Sequence, residues 1–157
     1  MRVVDEAVGQ IEILLVEDNV ADLLLMMKFL KESKVKSRVN ITRDGETAVD
    51  YLRKTNGFES AIRPDLVLLD LGLPLMDGRA VLKMIKNDPQ LKSIPVVILS
   101  GSDHPADVAA AYRADVNFYM IKPCDLFQFN SSMKYLEEVW LKVLARDKRE
   151  RGGDWLV

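Results

Sequence analysis

The unbroken apolar block Leu66-Val67-Leu68-Leu69 is too short for a typical helix and is bounded by Pro64 before it and Gly72-Leu73-Pro74 after it. Such a block reads as a strand covered on both faces, the kind that parallel sheets contain. It runs into a carboxylate, Asp70, at the point where the chain should leave the sheet. Ile11 to Val16 repeats the pattern and stops at Glu17-Asp18-Asn19. From Asn19 the spacing becomes helical, with Ala21, Leu24, Leu25 and Phe29 at three- and four-residue steps and Asn19 or Asp18 as N-cap.

The same strand-then-helix unit recurs along the chain. Val35 to Thr42 is a weaker, partly alternating strand, followed by an Asp44-Gly45 turn and a helix carrying Ala48, Val49 and Leu52, which Asn56-Gly57 is expected to close. Asp77-Gly78 opens a helix with Val81, Leu82 and Ile85 on one face. Ile94 to Leu99 is a fourth strand ending at Ser100, and Pro105 to Arg113 has a helical composition with proline at its start. Val116 to Ile121 is a short fifth strand ending at Lys122-Pro123, and a long last helix is expected from Asp125 to about Arg146. Parallel crossovers need intervening helices, so these units predict an α/β three-layer sandwich with helices on both faces of a parallel sheet.

Composition narrows the field. With 157 residues, 48% of them hydrophobic, the chain suits one domain and a single core. A formal net charge of -2 provides no overall positive field for a nucleic-acid backbone. The apolar runs fall well short of the roughly 20 residues of a membrane helix, and the N-terminus is acidic where a secretory signal is basic, so a cytoplasmic location is expected. The single cysteine, Cys124, excludes an internal disulfide and suits a small packing thiol.

In a parallel sheet all strand carboxyl ends lie on one edge, and open α/β folds bind ligands there. The residues that end the apolar runs are Glu17 and Asp18, Asp70, Ser100 and Lys122. Taken singly, each has a plain role: an acid as a cap, Asp70 or Ser100 in a turn, Lys122 as a solvated charge. Together they bring three carboxylates, a hydroxyl and an ammonium to one place. Crowded carboxylates repel unless a cation compensates, and an all-oxygen set suits a hard divalent ion such as Mg2+. The lysine and hydroxyl suit an anion, phosphate above all. The set therefore describes a carboxylate nucleophile, Asp70, forming an aspartyl phosphate while cations stabilise charge on the phosphoryl oxygens.

At these residues the sequence resembles the receiver domain of two-component response regulators. The matching pieces are Ile13 to Asn19, Asp44-Gly45, Asp65 to Asp70, Leu73-Pro74 with Met76-Asp77-Gly78, Val97 to Gly101, and Tyr119 with Lys122-Pro123. The resemblance implies a flavodoxin-like (βα)5 sandwich with a five-stranded parallel sheet of order 2-1-3-4-5. It makes Asp70 the phosphoacceptor and places Glu17, Asp18, Asp70 and the Gly72 carbonyl at a magnesium site. Ser100 becomes the switch hydroxyl, Lys122 the phosphoryl contact, and Tyr119 the aromatic switch. Domain limits follow: 1–10 an extension, 11–146 one receiver including the last helix, 147–157 a flexible tail.

The family pattern also implies a phosphoryl-accepting signalling protein and not a turnover enzyme, with a sensor histidine kinase or phosphotransfer protein as donor. His104, the only histidine, then needs no donor role and is expected to cap or stay exposed. No effector domain is expected after Leu126, so output should be a protein interaction. Val116 to Tyr119 and the Trp-containing last helix resemble small stand-alone receivers paired with bacterial phytochrome kinases. Leu126, Phe129, Met133, Leu136, Trp140 and Val143 form an apolar seam that serves either packing on the sheet or, with the fourth-helix and fifth-strand face, a homodimer. Gly72 and Ser102 depart from the common pattern at positions expected to tune autodephosphorylation. Two rival functions stay open: a non-phosphorylated docking module, and a haloacid-dehalogenase-type phosphatase, which Gly72 disfavours because enzymes of that type usually carry a second aspartate there as general acid.

Overall fold

The computed structural model describes residues 10–33, 36–123, 125–132, 134, 135 and 138. The strands are β1 (Ile11–Val16), β2 (Ser37–Thr42), β3 (Leu66–Asp70), β4 (Val96–Ser100) and β5 (Phe118–Ile121). The helices between them are α1 (Val20–Glu32), α2 (Gly45–Arg53), α3 (Gly78–Asn87) and α4 (Pro105–Arg113). After β5 residues 126–132 are again helical, here α5. All strand pairs are parallel and the sheet order is β2-β1-β3-β4-β5, so the expected flavodoxin-like (βα)5 topology is the observed one.

The central strand explains the architecture. Every residue of β3 is buried, because its alternating side chains enter two different cores. Leu66 and Leu68 pack with Met26, Phe29 and Leu30 of α1 and with Phe129 of α5. Val67 and Leu69 pack with residues of α2, α3 and α4, including Ala48, Leu52, Val81, Ile85 and Ala111. Thus α1 and α5 cover one face of the sheet and α2, α3 and α4 the other.

Three expectations need correction. The buried stripe of α1 is Met26, Phe29 and Leu30, whereas Leu24, read as part of the apolar period, is 62% exposed. The block from Leu23 to Met27 is apolar at every position, so its sequence carries no phase; the placement of α1 on the sheet supplies it. Helix α2 closes before Asn56-Gly57: Lys54 takes the left-handed conformation at φ 57 and its amide returns to the carbonyls of Asp50 and Tyr51. The strands β2, β4 and β5 begin at Ser37, Val96 and Phe118, two residues inside the runs expected from Val35, Ile94 and Val116, since loop residues such as Ile94 and Val116 also fill the core.

In the last helix Phe129 is fully buried and its ring lies 5.0 Å from Phe29, while Leu126 is 43% and Phe127 80% exposed. The described part of the seam therefore packs on the sheet through Phe129. Met133, Leu136, Trp140 and Val143, like Cys124, residues 1–9 of the extension and the 147–157 tail, lie outside the described residues. Among the described residues no helix is long and apolar enough to cross a membrane.

Candidate functional site

Strand register and side-chain parity assemble the site. Val16 is level with Leu69 across β1 and β3, and Asp70 is level with Leu99 across β3 and β4. Glu17 thus emerges beside Asp70, on the parity that continues Ile13 and Leu15, just as Asp70 continues Leu66 and Leu68. Lys122 follows Phe118 and Met120 onto the same face. Ser100 and Tyr119 fall on the opposite parity, in line with Ile98. Gly78 closes the geometry from behind: a Cβ there would collide with the Asp70 carbonyl and lie 2.6 Å from the Leu71 Cα. Only glycine lets the start of α3 approach the carboxyl end of β3 this closely.

Three carboxylates surround one ammonium. Lys122 Nζ lies 2.8 Å from Glu17 Oε2, 2.9 Å from Asp22 Oδ2 and 3.3 Å from Asp70 Oδ2. Glu17 is wholly buried and Asp70 is 5% exposed. Burial pushes the Glu17 carboxyl up to about 7; Lys122 and the Asn19 amide pull against that rise, and Asp70 adds to it. For Lys122 burial alone lowers the pKa, but hydrogen bonds to Glu17 and Asp22 and the charge of Asp70 outweigh it and carry the ammonium above its ordinary value. Lys122 is therefore cationic, and the carboxylates around it still exceed it in charge.

Carboxylate oxygens of Glu17, Asp18 and Asp70 all lie within 4.8 Å of one another. An all-oxygen set with surplus negative charge fits a hard divalent cation, and the residues present suit such an ion. Gly72 lies beside them, its amide donating to Asp70 Oδ1 at 3.0 Å. The cleft, about 690 Å³, is lined by Asp18, Asp70, Gly72, Arg79, Ser100 and Lys122 among others.

On the opposite parity, the Ser102 amide donates to Ser100 Oγ at 3.1 Å, and the Ser102 hydroxyl donates to Asp107 Oδ2 at 2.6 Å. The Tyr119 ring is buried and its hydroxyl donates to the Ser102 carbonyl at 2.9 Å. His104 caps α4, its Nδ1 accepting from the Ala106 amide at 3.3 Å, which is the structural role expected of it. The Lys122-Pro123 peptide is cis.

Sequence reasoning passed over Asp22, Arg79 and Asp107. Asp22 stands three residues after the N-cap Asn19, where an acid reads as ordinary helix-start chemistry, and its contact with Lys122 spans 100 positions. Arg79 and Asp107 both sit in first helical turns and meet only through the packing of α3 beside α4. No local signal marks such pairs.

The chain is similar to known proteins over most of its length. The response regulator receiver domain profile matches residues 13–134. The chain is 42% identical over 133 residues to the response regulator Rcp1 of a Synechocystis species, covering 85% of this chain and 90% of that one. The crystal structure of the phosphorylated cyanobacterial phytochrome response regulator RcpA is 46% identical with a TM-score of 0.74, over 85% of this chain and 96% of that one. The Mn(2+)-bound form of Rcp1 is 44% identical with a TM-score of 0.71, over 78% and 88%.

Proposed function

Since the chain belongs to the response regulator receiver family, we propose that Asp70 is its phosphoacceptor and that a sensor histidine kinase, of the bacterial phytochrome type, is the donor. The observation that carries this reading is Asp70 itself: a buried carboxylate at the end of the central strand, 3.3 Å from an ammonium and clustered with two further carboxylates. An Asp70 oxygen attacks the phosphorus of a phosphohistidine, the P–O bond forms as the P–N bond breaks, and the imidazole leaves with the bonding pair. Lys122 follows the charge that accumulates on the phosphoryl oxygens, and Ser100 donates a hydrogen bond to one of them.

Glu17, Asp18, Asp70 and the Gly72 carbonyl would hold Mg2+. Its contribution when bound is to neutralise the carboxylates and the phosphoryl oxygens. The likeness to RcpA, described as a phytochrome response regulator, supports the choice of donor, and a cytoplasmic setting accords with such a kinase.

The readout follows from position. Ser100 and Tyr119 share a face and are joined through Ser102. A hydroxyl drawn to the phosphoryl group shifts the loop after β4, and Tyr119 carries the change to the α4–β5 surface. Output is then a protein contact, and we include a homodimer through the last helix and that surface. Sedimentation of wild type against Trp140→Ala tests the dimer, which an unchanged mass would refute. Gly72 places no carboxylate where an aspartyl-phosphate phosphatase needs a general acid, so phosphoryl turnover is limited to self-phosphorylation and autodephosphorylation.

Incubation with magnesium and acetyl phosphate tests the central assignment by intact mass. A phosphoryl adduct in wild type and none in Asp70→Asn is the expected result. No adduct from wild type, with acetyl phosphate or a cognate kinase, would leave a docking module; rapid turnover of small phosphoesters would establish a phosphatase.

A further inference from the structure

Besides Lys122, one more cation among the described residues lines the acidic cleft. Arg79, at the first turn of α3, lines that cleft and also the groove between α3 and α4. Its guanidinium is held loosely, Nη1 at 3.4 Å from Asp77 Oδ2 and Nη2 at 3.8 Å from Asp107 Oδ1, with the side chain 58% exposed. Exposed pairs at such separations contribute little, so Arg79 is free to exchange partners at small cost.

Its partner Asp107 has a second task. Asp107 Oδ2 accepts the Ser102 hydroxyl at 2.6 Å, while Ser102 donates its amide to Ser100 Oγ and offers its carbonyl to Tyr119. Arg79 therefore stands at one end of a chain of contacts running through the loop after β4. On the side of Asp70, Gly72 leaves the approach open: a Cβ added there would meet only Asp70 Oδ1, at 3.7 Å.

A phosphoryl group adds about −1.5 to −2 charges and three acceptor oxygens, and a guanidinium binds such a group through two parallel hydrogen bonds. We propose that Arg79 is a second phosphoryl-contacting cation, which leaves Asp107 for the phosphoryl oxygens across the gap at Gly72 and so releases the Ser102 loop. The proposal rests on Asp70 being the phosphoacceptor. It gives the site two cations from different elements, Lys122 from the loop after β5 and Arg79 from α3, and makes the state of Asp107 respond to phosphorylation.

The test is calorimetric titration of the full chain with fluoroberyllate, a phosphoryl mimic, in excess magnesium. Arg79→Ala should bind about five- to tenfold more weakly, and Arg79→Lys should recover part of the loss. Asp107→Asn should bind more tightly than wild type, and that gain should vanish in the Arg79→Ala background. Arg79 is exposed, so its variants should keep the wild-type melting temperature and report on binding alone. Equal affinity of wild type and Arg79→Ala, or an Asp107→Asn effect that is the same in both backgrounds, overturns the proposal. Wild type that binds no fluoroberyllate and forms no adduct overturns the Asp70 assignment together with it, whereas binding that is lost in Asp70→Asn but unchanged in Arg79→Ala overturns only the role of Arg79.

Discussion

Lys122 Nζ stands 2.8 Å from Glu17 Oε2, and 105 positions of chain separate the two residues. Glu17 is wholly buried, and a buried ionised carboxylate is tolerated only with a partner. The pair therefore joins the loops after β1 and β5 across β4 and the strand β3 that carries Asp70. Lys122→Met keeps the aliphatic bulk and removes the charge. Phosphoprotein formation from acetyl phosphate, followed by intact mass, should fall by about 100-fold, the scale seen when one stabilising donor is removed from a transition state. An unchanged rate would take Lys122 out of the site.

Surplus negative charge makes the folded state a better ligand for divalent cations than the unfolded chain. Magnesium at ten times its dissociation constant should stabilise the protein by about 1.4 kcal/mol, and raise the melting temperature by about 3–6 °C. Manganese should act in the same direction. Asp18→Asn should abolish most of the shift in scanning calorimetry, and a full shift in that variant would move the ion elsewhere.

Gly78 and Gly72 belong to the same β3–α3 connection and should respond unequally to a methyl group. At Gly78 the methyl meets the backbone of Asp70 and Leu71, while at Gly72 it meets only a carboxylate oxygen at 3.7 Å. Gly78→Ala should cost about 1–3 kcal/mol in urea unfolding, although alanine is the better helix former. Gly72→Ala should change stability by no more than about 0.5 kcal/mol.

Gly72 and Ser102 flank the approach to Asp70, though the structure turns the Ser102 hydroxyl toward Asp107. An amide at position 72 would fill the open side and offer a hydrogen bond to an attacking water. Gly72→Asn should shorten the half-life of the phosphoryl group, read as the decay of the adduct by mass. Identical half-lives in the two proteins would end the idea that this position tunes hydrolysis.

Neighbouring phenylalanines in α5 separate packing from surface. Phe129 is wholly buried against Phe29 and Phe127 is 80% exposed. Phe129→Ala should cost about 3–5 kcal/mol, while Phe127→Ser should stay within about 0.5 kcal/mol. Chemical denaturation compares them directly, and equal losses would contradict the docking of α5 on the sheet.

The sequence by itself determined the unit and its repetition. Runs such as Leu66 to Leu69 and Ile11 to Val16, bounded by turn residues, read as doubly covered strands that end on a polar residue, so the strand ends Glu17, Asp18, Asp70, Ser100 and Lys122 are legible as a set in the sequence. Periodicity also located α3, because Val81, Leu82 and Ile85 alternate with charged positions and are buried as expected. What it left undecided was phase and partnership. In α1 the all-apolar block hid which side faces the sheet, and only packing on β1 and β3 exposed Leu24 and buried Met26. The links of Lys122 to Asp22 and of Arg79 to Asp107 belong to the tertiary structure alone. Strand and helix periods are local properties, written in spacings of two to four residues. An ion pair between distant elements depends on register and on the packing of helices side by side, which no local spacing encodes.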